Sequence, residues 1–118
     1  MIKVLLERDA VIGMAFDAWM MIPGWIRGKS TPESTGLKIE HVVQHIDHIC
    51  QIAGNANHVG IGSDLDGAYG KEQSPGDLDS IADLQTIPSL LSTRGYSASD
   101  IERIMWRNWV GFLERNWA

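Results

Sequence analysis

An α/β fold built on parallel strands is what this sequence predicts, and three observations carry it. Two short apolar runs, Val11–Phe16 and His58–Ser63, are bounded by turn-formers, as strands covered on both faces are. Between them, residues 37–53 place Val42, Ile46, Ile49, Cys50 and Ala53 at offsets of four, seven, eight and eleven, the spacing of a helix with one buried stripe. Strand, helix, strand is a right-handed crossover unit.

Taken in order, Ile2–Arg8 reads as a short amphipathic helix, with Val4 and Leu5 flanked by Lys3, Glu7 and Arg8, stopping at Asp9. The first strand follows. Residues 17–36 hold Pro23, Gly24, Gly28, Ser30, Pro32, Ser34 and Gly36, and are too rich in Trp and Met for a plain connector, so they read as a functional or packing loop. Gly54 ends the central helix, and an acidic, glycine-rich loop spans 64–76 after the second strand. A helix over Leu78–Thr93 is expected to be disturbed at Pro88 and ended by Gly95; a last one opens with the capping pair Ser97 and Asp100. That last helix carries Ile101, Ile104, Met105, Trp109, Phe112 and Leu113, with Trp106, Trp109 and Trp117 read as helix packing.

The 118 residues read as one segment, with 10 Lys+Arg against 15 Asp+Glu and a net charge of −5, a balance that argues against a nucleic-acid partner. With 44% hydrophobic and 21% charged residues the chain is not disordered. One cysteine, Cys50, excludes an internal disulfide and a cysteine-based zinc cage and reads as a small core residue. The apolar stretch Ala10–Ile22 is broken by Asp17 and lacks a basic leader, so it predicts neither a spanning helix nor a secretory signal. Compartment stays open, cytoplasmic or periplasmic for a bacterial protein. Two parallel strands make an unfinished sheet, exposing unpaired edges that another copy or an absent amino-terminal portion would cover.

The strongest local signal is Gly60-Ile61-Gly62-Ser63-Asp64-Leu65-Asp66-Gly67. Alternation sends Val59 and Ile61 to one face and Gly60, Gly62 and Asp64 to the other, so glycines clear space below a carboxylate. Asp64 then stands at the carboxyl end of a parallel strand, where α/β proteins place their sites. The competing explanation is that Asp64 and Asp66 cap backbone groups in a tight turn around Gly67. A calcium loop fails, because the twelfth place is Pro75 rather than glutamate. His41, His45 and His48 share a helix at offsets of four and seven and offer a zinc site in principle, but lie beside the apolar stripe where solvent-edge histidines are common. His58 has the simpler role of bonding a loop carbonyl. In Asp17–Trp25, Trp19 and Trp25 either wall a pocket or pack under the loop. Serine-elbow, phosphate-loop, dinucleotide and His-Glu-x-x-His motifs do not occur.

The run His45-Ile46-Asp47-His48-Ile49, then Ala53-Gly54, then Val59 to Gly67, resembles the membrane dipeptidase (renal dipeptidase) family, and Asn108-Trp109 with Phe112-Leu113 is similar to the family's final helix. The resemblance covers essentially the whole chain and implies the carboxyl-terminal part of a (β/α)8 barrel, about two parallel strands plus helices. It further implies hydrolysis of dipeptides, and in some members of β-lactams, by a hydroxide held on two zinc ions. By the same resemblance Asp64 is the catalytic and substrate-binding aspartate facing the amino group, Trp19 an aromatic at the end of the penultimate strand, and Gly67 part of the turn beside the substrate. Asp66 takes no catalytic role. The family's metal ligands (an early His-x-Asp pair, a bridging glutamate and two later histidines) and its substrate-binding arginine have no counterpart here, so no metal ligand is assigned in this chain. The expectation is a terminal part, inactive alone, that needs the missing barrel portion or self-association; a noncatalytic module pairing its open strand edges is the alternative.

Overall fold

The structure, a computed structural model, describes residues 1–117. Its elements run α1 (Ile2–Glu7), β1 (Ile12–Met14), α2 (Ala18–Met21), α3 (Pro32–Thr35), α4 (Ile39–Ala53), β2 (Val59–Ile61), α5 (Ile87–Thr93), α6 (Ala98–Glu102) and α7 (Asn108–Asn116), with 3-10 turns at Lys71–Gln73 and Ile81–Thr86. β1 and β2 pair in parallel, Ile12 opposite Val59, Gly13 opposite Gly60 and Met14 opposite Ile61. The strand–helix–strand order is therefore as the apolar runs imply. Both strands are shorter than their apolar runs, and β1 is not covered on both faces: Ile12 is half-buried and Gly13 exposed.

One face of the strands and the stripe of α4 make the core. Val42, Val43 and Ile46 of α4 are fully buried with Val59 of β2, and Cys50 is buried at the end of the same stripe. Each such aliphatic side chain contributes roughly 1.5–3 kcal/mol by leaving water. Gly54 closes α4 in the left-handed conformation at φ 74°, where a Cβ would be strained. The 17–36 stretch is not structureless, since it folds into α2 and α3, the latter opened by Thr31, whose hydroxyl accepts from the Ser34 amide.

Pro88 does not break a long helix. It sits in the first turn of α5, where its missing N–H removes no hydrogen bond, and the residues before it form the 3-10 turn opened by the Asp83 carboxylate bonding the Asp79 and Ser80 amides. The final helical run is opened by Ser97, whose hydroxyl accepts from the Asp100 amide. Between α6 and α7 it widens into a π-helical turn over Arg103–Arg107. That extra residue per turn rotates the register, so Ile104 enters the core while Asn108 and Trp109 reach β2.

The glycine face of the sheet is filled rather than empty. A Cβ on Gly60 would lie 2.8 Å from Cδ1 of Trp109, and one on Gly13 would lie 3.2 Å from its Cζ2. Trp109 is thus packing, edge-on to Phe112 at 6.4 Å, but its neighbours are strand glycines. Its indole N–H donates to the Ile61 carbonyl at 2.9 Å, and the Asn108 amide donates to the Val59 carbonyl at 2.8 Å. Because the His58 carbonyl accepts from Ile12, alternation turns those of Val59 and Ile61 away from β1. The outward carbonyls of β2 are therefore met by side chains, while both outer edges lack a strand partner among the described residues, as the unfinished sheet implies. Trp106 and Trp117 are largely exposed, correcting their reading as packing; the Arg107 guanidinium lies over Trp106 at 5.2 Å. Among the described residues no helix is long and apolar enough to cross a membrane.

Candidate functional site at the strand ends

Parallel pairing puts the exits of β1 and β2 at one end, and each exit carries an aspartate three residues past the paired Met14 and Ile61. Asp17 is buried at 4% exposure. As N-cap of α2, its Oδ1 accepts from the Trp19 amide at 2.9 Å and also from the Gln73 side-chain amide at 2.6 Å. Gln73, itself 3% exposed, uses its Oε1 to accept from Nε of Arg27 at 3.1 Å.

Asp64 is exposed, and its carboxylate makes no hydrogen bond to the described residues. It is not the turn cap that the competing explanation required. Its backbone is left-handed at φ 57°, as are Asp66 at 69° and Ala68 at 66°. Aspartate tolerates that region better than most residues, alanine poorly, so the turn is held by its surroundings. The Gly67 amide closes the turn on the Asp64 carbonyl at 2.9 Å. A Cβ at Gly67 would sit 2.8 Å from that carbonyl oxygen and 2.9 Å from Asp64 Cγ, so the missing side chain gives the carboxylate its place.

Tyr69 links the two exits. Its hydroxyl lies 3.4 Å from the Ser63 carbonyl, toward which it donates. Burial, then the Asp64 and the Asp17 negative charges, push its pKa from 10 up to about 12, so the phenol is a neutral donor across the physiological range. A cleft of about 330 Å³ opens beside it, lined by Trp25, Arg27, Thr31, Glu72 and Gln73. Trp19 is 64% exposed and lines a second recess of about 440 Å³ with Met20, Pro23 and His45; Trp25 borders both. The structure thus gathers Asp64, Gly67 and Tyr69, and leaves Trp19 on the far side of Trp25. Sequence reasoning had no role for Tyr69, Gln73 or Arg27. Their only signal was membership of loops leaving the same sheet end.

The helix histidines stay apart from this end's carboxylates. Nδ1 of His41 faces the Lys38 amide at 3.2 Å, and burial followed by the charges of His41 and His48 holds the His45 imidazole below its usual 6.5. His58 bonds the Ala10 carbonyl at 3.1 Å through Nδ1, the simple role expected of it. Among the described residues no three His, Cys, Asp or Glu side chains converge to hold a metal ion, so the three-histidine site does not form and the residues present do not fit a metal centre.

A sequence profile of the membrane dipeptidase family, peptidase family M19, matches residues 1–115. The chain is 28% identical over 116 residues to an uncharacterized Klebsiella pneumoniae protein from the pqqA 5′ region, covering 98% of this chain and 39% of that one. It superposes on the crystal structure of a metallo peptidase of the same family, dipeptidase AC, with a TM-score of 0.76 at 24% identity, over 98% of this chain and 31% of that one. A Rhodobacter sphaeroides metallo peptidase, liganded with a phosphinate mimic of the dipeptide L-Ala-D-Ala, gives a TM-score of 0.74 at 23% identity, over 98% and 30%. The chain therefore spans between three and four tenths of the length of these relatives.

Proposed function

The chain belongs to the membrane dipeptidase family, and we propose that it supplies one wall of a dipeptide-hydrolysing site in which Asp64 engages the substrate's amino group. The observation that carries this reading is the unspent carboxylate of Asp64 at the exit of a parallel strand, given room by Gly67. A carboxylate with no protein partner is suited to a charge-assisted bond with an ammonium group. Peptide hydrolysis adds water to the carbonyl carbon, breaks the C–N bond and hands the departing amine a proton, which on this reading Asp64 carries. Tyr69, kept neutral, donates rather than repels beside it. Trp19, on the far side of Trp25, takes no part in this contact, and the dipeptide mimic held by the Rhodobacter sphaeroides relative supports substrates of dipeptide size. The resemblance implies two zinc ions; the described residues form no set that fits one, so on this reading the ions are held by side chains these residues do not supply.

Hydrolysis of L-Ala-D-Ala in the presence of zinc tests the proposal. The 118-residue chain alone is expected to give no turnover above the blank, and the chain combined with the remaining barrel portion of a relative to give turnover that Asp64→Asn abolishes. Robust turnover by the isolated chain overturns the division of labour. Turnover by the combined protein that survives Asp64→Asn overturns the role of Asp64.

A second reading, a noncatalytic module that self-associates, has support in the outer edge of β1, which pairs with no strand among the described residues. Light scattering after size exclusion separates the two: a stable, monodisperse dimer favours the module.

A further inference from the structure

Two polar side chains, Asp17 and Gln73, are buried almost completely and bonded to one another. Capping α2 accounts for Asp17 alone. Gln73 costs desolvation at both ends of its amide, and that cost calls for a second reason. Its Nε2 is spent on Asp17 and its Oε1 on Arg27 Nε, so a buried, doubly bonded amide sets the plane of the Arg27 guanidinium. Arg94, Arg103, Arg107 and Arg115 all face carboxylates. Arg27 is instead held by a neutral group through Nε, and its two terminal nitrogens make no hydrogen bond or ion pair with the described residues. The fork makes no bond to the described residues, with the Glu72 carboxylate near enough to feel its charge.

That fork lines the 330 Å³ cleft whose other wall includes Tyr69, the neighbour of Asp64. Trp25, 6% exposed, lines it too, and its indole N–H is, among the described residues, the buried side-chain donor left without an acceptor. That nitrogen is sealed from solvent, so the cations on the cleft wall are those of Arg27 and Lys29. Glu72 is the opposing charge: its Oε1 accepts from the Gly70 amide at 3.0 Å, and that bond, helped by the Arg27 charge, holds its carboxyl below the usual range.

We propose that Arg27 is a substrate-binding residue that takes a carboxylate of the dipeptide whose amino group Asp64 engages, and that the cleft favours substrates with an acidic side chain. This rests on the dipeptidase reading. A guanidinium fixed through Nε presents its terminal nitrogens as a fork that matches a carboxylate in two parallel bonds. The cleft is at the small end of ligand sites, enough for one acidic side chain.

Titration of the chain combined with the remaining barrel portion of a relative, with no metal added, using L-alanyl-L-glutamate and L-alanyl-L-glutamine and NMR of the tryptophan indole N–H signals, tests it without catalysis. Arg27→Ala is expected to weaken L-alanyl-L-glutamate about tenfold, with Arg27→Lys intermediate and Glu72→Gln tighter than the parent. L-alanyl-L-glutamine unaffected by Arg27→Ala supports the contact with the side-chain carboxylate; both dipeptides weakened alike overturns the preference for an acidic side chain. Arg27→Ala binding both as the parent does overturns the inference, and leaves the dipeptidase reading standing where Asp64→Asn weakens both. No binding of either dipeptide to the combined protein, or binding indifferent to Asp64→Asn, overturns that reading and this inference with it.

Discussion

Asp17 and Asp64 occupy corresponding places, each three residues beyond paired positions of neighbouring parallel strands, and have opposite fates. The chain after Asp17 turns at once into α2, so its carboxylate meets an unsatisfied helix amide and is then covered by Gln73. After Asp64 the chain enters a left-handed turn closed by Gly67, which offers no amide to that carboxylate. The same residue type at the same strand end is structural where a helix follows and free where a turn follows. Position at the end of a strand is thus insufficient to mark a reacting group, and the local backbone decides.

Substitutions at these positions test the contrast directly. Asp17→Ala is expected to have the largest effect on stability, about 2–4 kcal/mol by urea unfolding, because it removes a helix cap and strands the buried Gln73 amide. Gly67→Ala follows at about 1–3 kcal/mol, since a Cβ there would press on the Asp64 carbonyl and carboxylate. Asp64→Asn should stay within about 0.5 kcal/mol of the parent, having no bond to lose. Asp64→Asn unfolding as easily as Asp17→Ala would break the comparison.

The finest test uses Tyr69 as a reporter. Absorbance titration of the phenolate should show its pKa falling from about 12 in both Asp64→Asn and Asp17→Asn, and further in the former, because the Asp64 charge acts on it more strongly. Its raised value favours the neutral folded form. The stability Tyr69 contributes is therefore whole below pH 10 and is lost as pH rises through about 12.

How much was legible depends on how far apart the cooperating residues lie. The α4 stripe, the Gly54 stop, the Ser97 cap and the Gly60–Gly67 signal are patterns within a few residues, and all appear in the fold. Asp17 with Gln73 and Arg27 with Gln73 are separated by 56 and 46 residues, and no periodicity joins them. The Trp109 contact with Gly60 was hidden for another reason: the π-helical turn shifts the helix register, so regular helical spacing misplaces the residues beyond it. Trp106 and Trp117, read by that spacing as buried, are exposed.

By itself the sequence determined the parallel strand–helix–strand unit and the aspartate at the exit of β2, because hydrophobic period and turn chemistry act over neighbouring residues, and its motifs carried the resemblance to the family. Only the tertiary structure decided which exit aspartate is spent and which is free, that side chains meet the outward carbonyls of β2, and that Arg27 is aimed by a buried amide. Those outcomes depend on loops meeting across the sheet end, and such meetings are set by packing of the whole chain.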